Sequence, residues 1–460
     1  MVILHRGTAQ IIDVSGTGYS RFCPAQWARG LWIPLIVCFC LFALTSPVCA
    51  SQDPLSKSPF QGYFDFATCV RYALVHSDIF LKNRLEIQIR SANLKDAHSE
   101  IYPTLELRTL VYISRATGNV GSPLNVYAWV AGFNPLVALL KIKSNEILVD
   151  IAKTSHFLKI SEDVAAMGKL FYGIHALEKS IKVRKEIIAL SQDKVNYGTS
   201  RNEQGTLDPL QVRIWNNNLR GAQIKLKSLE NEREQKIAEL KMLMGYPHDF
   251  HLPLDTRDAA NQILNGFNGQ PITFADIQGG NLSLKIAAKR EQVQSNLVTG
   301  SYVALIPRPS LVMEQIDNQV DRTSGFNFAL GVEYTVWDGF KRVREIKRQK
   351  MIAEQLKLDR NDMSSKLYGQ FKRLRGGLEL SGERETFVRE QAKLAELSEE
   401  RALTDYKSGA IPYDLYVDRR IEKVEAHLDS ISGPQERVFD LIDLATLAGG
   451  LNKYNARIAY

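Results

Sequence analysis

The sequence predicts a mainly α-helical protein with a small β part, and three observations predict it. Landmark residues recur along the chain at one fixed offset. Two very long stretches, Leu136 to Asp208 and Ser310 to Ile411, contain no proline. One segment, Phe326 to Val336, alternates strictly between apolar and polar or small residues.

The offset is 204 residues. It carries Gly205 to Gly409 and Gly245 to Gly449, so that Gly205 with Gly245, and Gly409 with Gly449, each bracket a helix-like stretch. It also carries Ser77 to Asn281, Pro103 to Pro307, and Phe133-Asn134 to Trp337-Asp338. An internal period of this length is a tandem duplication. The expected division is a leader at 1–50, a first repeat at 51–255 and a second at 256–460. A proline-containing connection at 246–272 (Pro247, Pro253, Pro271) links the two.

Each repeat reads in the same order: a helix, a proline, two strands, a very long helix, a glycine turn and a shorter helix. In the second repeat the long helix is expected over 340–407. Ile346, Met351, Ile352, Leu356, Leu358, Leu367, Phe371 and Leu374 recur there at three- and four-residue steps. At 1.5 Å per residue such a helix is about 100 Å long, more than one globular core can cover. The narrow apolar stripe with charged flanks resembles a coiled-coil seam. Gly376-Gly377 and Gly382 predict a bend or loosened turn, and Pro434 predicts a kink in the last helix.

The strands follow from a period of two. Phe326, Phe328, Leu330, Val332, Tyr334 and Val336 fall on one face, and Asn327, Ala329, Gly331, Glu333 and Thr335 on the other. About ten residues is the length of a transmembrane barrel strand. Hairpins are expected at about 104–134 and 309–337. A soluble hairpin packed on the helices would show the same alternation.

Composition sets limits. The chain has 24% charged residues, a net charge of +7 and a mean hydropathy of -0.19. This excludes a polytopic helical membrane protein. Cations and acids are interspersed, so no concentrated basic face points to nucleic acid. Leu31–Leu44 is a short apolar core after Arg21 and Arg29, ending at Val48-Cys49-Ala50. That is the pattern of a secretory signal peptide with Ser51 as the expected mature start; an uncleaved anchor is the alternative. Cys23, Cys38, Cys40 and Cys49 lie in the leader, which leaves Cys69 and no internal disulfide. HExxH, GxSxG, Walker and CxxC patterns are absent, and the eight histidines are scattered. Neither an enzyme, a metal site nor a bound cofactor is expected.

Three motifs carry a family resemblance. FATCVRYALVHSDIFLKNRLEIQIRSANLKDAHSEIYPTLELR (66–108) resembles the opening helix and strand entry of the TolC-like outer-membrane efflux proteins. YTVWDGFKRVREI (334–346) is similar to their strand exit, and YKSGAIPYDLYVDRR (406–420) to their final turn. The resemblance covers about 62–452. It implies a homotrimer in the outer membrane, with four strands per chain pooled into a twelve-strand barrel and the long helices forming a hollow periplasmic α-barrel. It implies lipid at Phe326, Phe328, Leu330, Val332, Tyr334 and Val336, and a lumen at Asn327, Glu333 and Thr335. The implied partners are a periplasmic adaptor and an inner-membrane transporter, in tripartite efflux or type I secretion of small molecules or proteins. A pore-less periplasmic coiled-coil scaffold or adaptor is the competing reading.

Tyr406, Gly409, Asp414 and Asp418 are the candidate periplasmic gate. Asp414 and Asp418 are four apart and share a helix face. In a trimer they would ring an axis with carboxylates and favour cations. A helix-start acid and an ordinary solvated charge are the structural alternatives. Family members often carry arginine two residues after the glycine, where this chain has Ile411. The first-repeat turn, from Tyr197 to Gly205, reads as expanded, with Asp208-Pro209 as N-cap and first helical residue.

Overall fold

The computed structural model describes residues 62–102, 127–130, 134–264, 272–318 and 323–449. The expected leader, with its expected cleavage site and four cysteines, lies outside them, as does most of the expected first hairpin.

Residues 62–101 form two helices, not one: α1 (Phe66–His76) and α2 (Asp78–Ser99), with Ser77 extended between them. A short strand, β1 (Tyr127–Val130), precedes α3 (Pro135–Glu203), 69 residues long. Asn134 caps α3 by accepting from the Leu136 and Val137 N–H groups, and Pro135 begins the helix, where a missing donor costs nothing. α4 (Pro209–Met244) follows, and Asp208 accepts from the Leu210 N–H at 2.9 Å, the predicted N-cap.

The second half repeats this plan. After α5 (Ala259–Leu264) come α6 (Phe274–Gly280) and α7 (Leu282–Val303), split at an extended Asn281 as α1 and α2 are split at Ser77. Then come β2 (Arg308–Asn318), β3 (Thr323–Glu333), α8 (Lys341–Lys407) and α9 (Tyr413–Leu447). Glu203 and Lys407 end the long helices 204 apart, and Gly205, Gly245, Gly409 and Gly449 all have positive φ.

β2 and β3 pair antiparallel along their whole length, from Arg308 opposite Glu333 to Asn318 opposite Thr323. β1, from the first half, pairs with the middle of β2, giving the order β1-β2-β3. β3 ends earlier than expected, so Tyr334, Thr335 and Val336 lie in the strand-to-helix corner. Pro307 precedes the first residue of β2 and has no N–H to extend the ladder.

The largest core lies where α1, α3, α4, α5 and the end of α9 meet, around Phe64, Phe171, Met167, Leu240, Met244 and Ile442. The connection after α4 belongs to it. Tyr246, Leu252, Ala259 and Ile263 are buried, and Phe64 bridges to Leu254. Cys69 is fully buried here, and burial pushes its thiol pKa upward, so it is a packing residue. A smaller core joins Ile277, Phe371, Leu374 and Leu444 of α6, α8 and α9.

The helical pattern of α8 runs unbroken through Gly376, Gly377 and Gly382. Gly377 instead gives room: a Cβ there would lie 2.7 Å from an Asp440 carboxylate oxygen. Pro434 sits inside an α9 whose helix continues on both sides.

The end of α4 closes on the α1–α2 break. Gly245 takes φ +67, and a Cβ on it would lie 2.6 Å from the His76 carbonyl oxygen. Gly205 has φ +70 and open space around it. Gly205→Ala should therefore cost only the left-handed penalty, about 1–2 kcal/mol. Gly245→Ala should cost more, because the His76 backbone must also move. Urea unfolding of the two variants measures the difference; equal losses would show that the α4 joint is not tightly packed.

Candidate functional site

The gate candidates lie at the end of the molecule where α8 turns into α9. Gly409, at φ +79, closes α8: its N–H donates to the Tyr406 carbonyl at 3.0 Å, and the Ala410 N–H donates to the Asp405 carbonyl at 2.8 Å. This is the glycine C-cap of a helix that reverses. The first-half turn is the same length, not expanded. α3 ends at Glu203 and α4 starts at Pro209, matching Lys407 and Tyr413 at the same offset. Tyr197 is simply more than a turn inside α3.

Four tyrosines pack around this turn. Tyr406 stacks on Tyr416 with centroids 5.5 Å apart and planes 7° apart. Tyr413 lies 4.9 Å from Tyr197 of α3 and 5.7 Å from Tyr406. Burial, followed by the nearby Asp193 carboxylate, raises the Tyr413 pKa. The Tyr416 hydroxyl donates to Glu399 at 3.3 Å, and Lys423 donates to the other oxygen of the same carboxylate at 3.3 Å. The α8–α9 hairpin is thereby pinned across its width.

Asp414 and Asp418 share a face of α9, but their surroundings differ. Asp414 stands in the first turn and makes no ion pair among the described residues. Asp418 accepts from Lys194 of α3, so it is an ion-paired acid, with its side chain still 44% exposed. The Lys194 side chain is only 10% exposed, and its ammonium also lies 4.7 Å from the centre of the Trp215 ring. Trp215 in turn lies on the backbone of Gly198, where a Cβ would approach the ring to 2.5 Å. α3, α4 and α9 are thus tied at one point by a carboxylate, an ammonium and an indole. Just above, Val417 and Val424 pack on Val183, Ile187 and Leu190. Beside the tie is a cavity of about 410 Å³ that Arg184 and Glu425 also line.

Sequence reasoning missed Lys194, Gly198 and Trp215. Their only local signal was a Lys-x-x-x-Gly spacing on α3, and nothing in the chain pointed from it to Trp215 or Asp418.

At the opposite end lie the residues read as lipid-facing or lumen-facing. Phe326, Phe328, Leu330 and Val332 occupy alternate positions of β3, as do Asn327 and Glu333. Val332, Tyr334 and Val336 are exposed, Val336 at 86%. Tyr334, Val336 and Thr335 follow the strand. No helix among the described residues is long and apolar enough to cross a membrane, and no group of three or more possible metal ligands occurs among them.

The architecture matches solved structures over most of its length. The Campylobacter jejuni CmeC outer membrane channel superimposes with a TM-score of 0.69 at 11% identity, over 86% of this chain and 89% of that one. The chain has the TolC-like outer-membrane channel fold. Two further channel-fold relatives agree. The Neisseria gonorrhoeae MtrE outer membrane channel, solved in its open state, gives a TM-score of 0.68 at 13% identity, over 84% of this chain and 89% of that one. The Vibrio cholerae outer membrane protein VceC gives 0.67 at 10%, over 84% and 96%. No protein-family model matches the sequence, and no curated protein matches it. In this channel fold the hairpin turns of α3–α4 and α8–α9 form one end and the strands the other.

The Lys194–Asp418 tie is part-buried and should couple α3 to α9 by about 1 kcal/mol, the upper end for a partly exposed pair. A double-mutant cycle with Lys194→Met and Asp418→Asn, read by thermal unfolding, should return that coupling. Coupling near zero would mean the two charges are held apart in solution.

Proposed function

We propose that the chain is the outer-membrane channel subunit of an export system and works as a homotrimer. Three copies pool their strands into one twelve-strand barrel, and the helices surround a periplasmic duct. Small molecules or proteins would pass from periplasm to exterior, delivered by an inner-membrane transporter through a periplasmic adaptor. The two repeats, 51–255 and 256–460, contribute equivalent staves.

The observation that carries this reading is the sheet. β2 and β3 are 11 residues each, the length of a barrel strand. Among the described residues, β3 pairs on one side only. Backbone groups on an open edge cannot face lipid, so a membrane sheet of this size needs partners from other copies. The long helices support the same assembly. On α8, Met351, Leu358, Leu380, Phe387 and Leu394 are 56–62% exposed and recur largely at seven-residue steps. A heptad stripe left bare in one protomer is the seam for another.

The tip is the proposed gate. The Lys194–Asp418 tie holds α9 against α3, and Tyr406–Tyr416 stacking stiffens the turn. Asp414 is the acid left to line the opening, one per protomer. A ring of such carboxylates attracts cations.

Conductance of the purified protein in planar bilayers tests the proposal; a protein that inserts no channels would refute it. Phe328→Arg and Leu330→Arg should each cost assembly roughly 2–4 kcal/mol at mid-bilayer depth, while Asn327→Arg is tolerated. Heat-resistant trimer on gels is the readout, and equal loss from both sets would remove the strands from the membrane. In single-channel records, Lys194→Met should lengthen open times, and Asp414→Asn should weaken block by multivalent cations added on the periplasmic side. Unchanged block would remove Asp414 from the gate.

A further inference from the structure

The corner between β3 and α8 carries a surface of which the channel reading uses only Val336. Val336, Trp337, Phe340 and Val343 are 86%, 71%, 59% and 57% exposed. Gly339 and Phe340 both adopt left-handed backbone, at φ +64 and +62, to make this corner. Trp337 and Phe340 meet edge to face with centroids 5.0 Å apart. Beside these apolar groups, α8 opens with Lys341, Arg342, Arg344, Lys347, Arg348 and Lys350.

The helix itself gives no reason for these cations. A helix N-terminus carries positive partial charge, so lysine and arginine there oppose the dipole, and the first turn of α8 holds no acid. Arg342 is neutralised by Asp338 at 3.4 Å and lies over the Tyr334 ring, and Arg348 pairs with Glu345. Lys341, Arg344 and Lys347 are exposed and make no ion pair among the described residues. The matching start of α3, from Pro135, has apolar residues until Lys141, and Lys141 is paired with Glu100. Lys143 of α3, at the position of Lys347, is also exposed without an ion pair among the described residues, but Val137 and Leu140 stand where α8 has Lys341 and Arg344.

We propose that this corner is a docking surface for anionic phospholipid, in the leaflet on the side where the strands pass into the helices. The inference rests on the channel reading, which places β3 in a bilayer and therefore α8 just below it. Charge complementarity selects the occupant. Exposed tryptophan and phenylalanine settle at the headgroup level, and unpaired lysine and arginine next to them meet phosphate. Lys341, Arg344 and Lys347 supply the charge, and Trp337 and Phe340 set the depth.

The test uses the full-chain trimer in vesicles of phosphatidylcholine and phosphatidylglycerol, with bromine on the acyl chains of one lipid or the other. Bromine quenches a nearby indole, and the wild-type signal minus that of Trp337→Phe isolates Trp337. Wild type should be quenched preferentially by brominated phosphatidylglycerol, with a selectivity of about fivefold or more, the worth of roughly one surface cation. The triple variant Lys341→Gln, Arg344→Gln, Lys347→Gln should lose the preference, as should wild type at high salt. Lys372→Gln with Lys393→Gln, far down α8, should keep it. Equal quenching of wild type by the two lipids, or a preference that survives in the triple variant, overturns the proposal. Conductance in the same vesicles then shows whether the channel reading still stands. Loss of quenching by both lipids together with loss of conductance refutes the channel reading, and this proposal with it.

Discussion

Covering a helix about 100 Å long is the constraint on which the rest of this structure depends. One short helix cannot do it, so two must lie end to end beside each long one. Their meeting point exposes helix ends, whose backbone groups need partners. The chain solves this twice with the same joint. Gly245, after α4, closes on His76 and Ser77 at the α1–α2 break. In the second half the Asn281 side chain donates to the Leu447 carbonyl at 3.0 Å. A Cβ on Gly280 would lie 2.1 Å from the Ala448 carbonyl oxygen, so the backbones touch. Breaking the first helix at Ser77 and Asn281 is what lets the last helix of each half dock there.

The two halves share geometry but not chemistry. The first half builds the large core, drawing in the connection after α4 and the end of α9. Among the described residues the second half has a smaller core around Ile277 and Phe371, and α8 leaves Met351, Leu358, Leu380, Phe387 and Leu394 exposed. More apolar surface is therefore buried around the first half than around α8. α9 meets α3 at both ends, through Val438 and Ile442 in the large core and through Val417, Val424 and the Lys194–Asp418 tie towards the tip. The middle of α8 and α9, around Val388 and Gly433, flanks cavities of about 330 and 470 Å³.

The fold was largely legible in the chain because its signals are local. Proline-free runs, a Pro-start and Gly-stop at helix ends, and strict alternation over β3 each depend on residues a few positions apart, and the 204-residue period needs only a comparison of the chain with itself. The structure departs from the local reading where tertiary packing overrides a local preference. Gly377, read with Gly376 and Gly382 as a weak point, lies in a continuous helix, and a Cβ on it would lie 2.7 Å from an Asp440 carboxylate oxygen. Tyr197 looked like a partner of Gly205, yet it packs on Tyr413 of the other half. Tyr334 and Val336 continued the alternation, but Pro307 ended the ladder before them.

At the tip, the sequence by itself determined the turn, since only a left-handed Gly409 lets α8 reverse there, and it placed Asp414 and Asp418 on one face. Tertiary structure decided that the two acids differ. Lys194 is 224 residues from Asp418, and Trp215 stands on a third helix. Helical periodicity fixes which residues share a face, but not which face of another helix they meet. That choice is made by packing along the whole length of α3, and it turned one acid of a presumed pair into half of an ion pair.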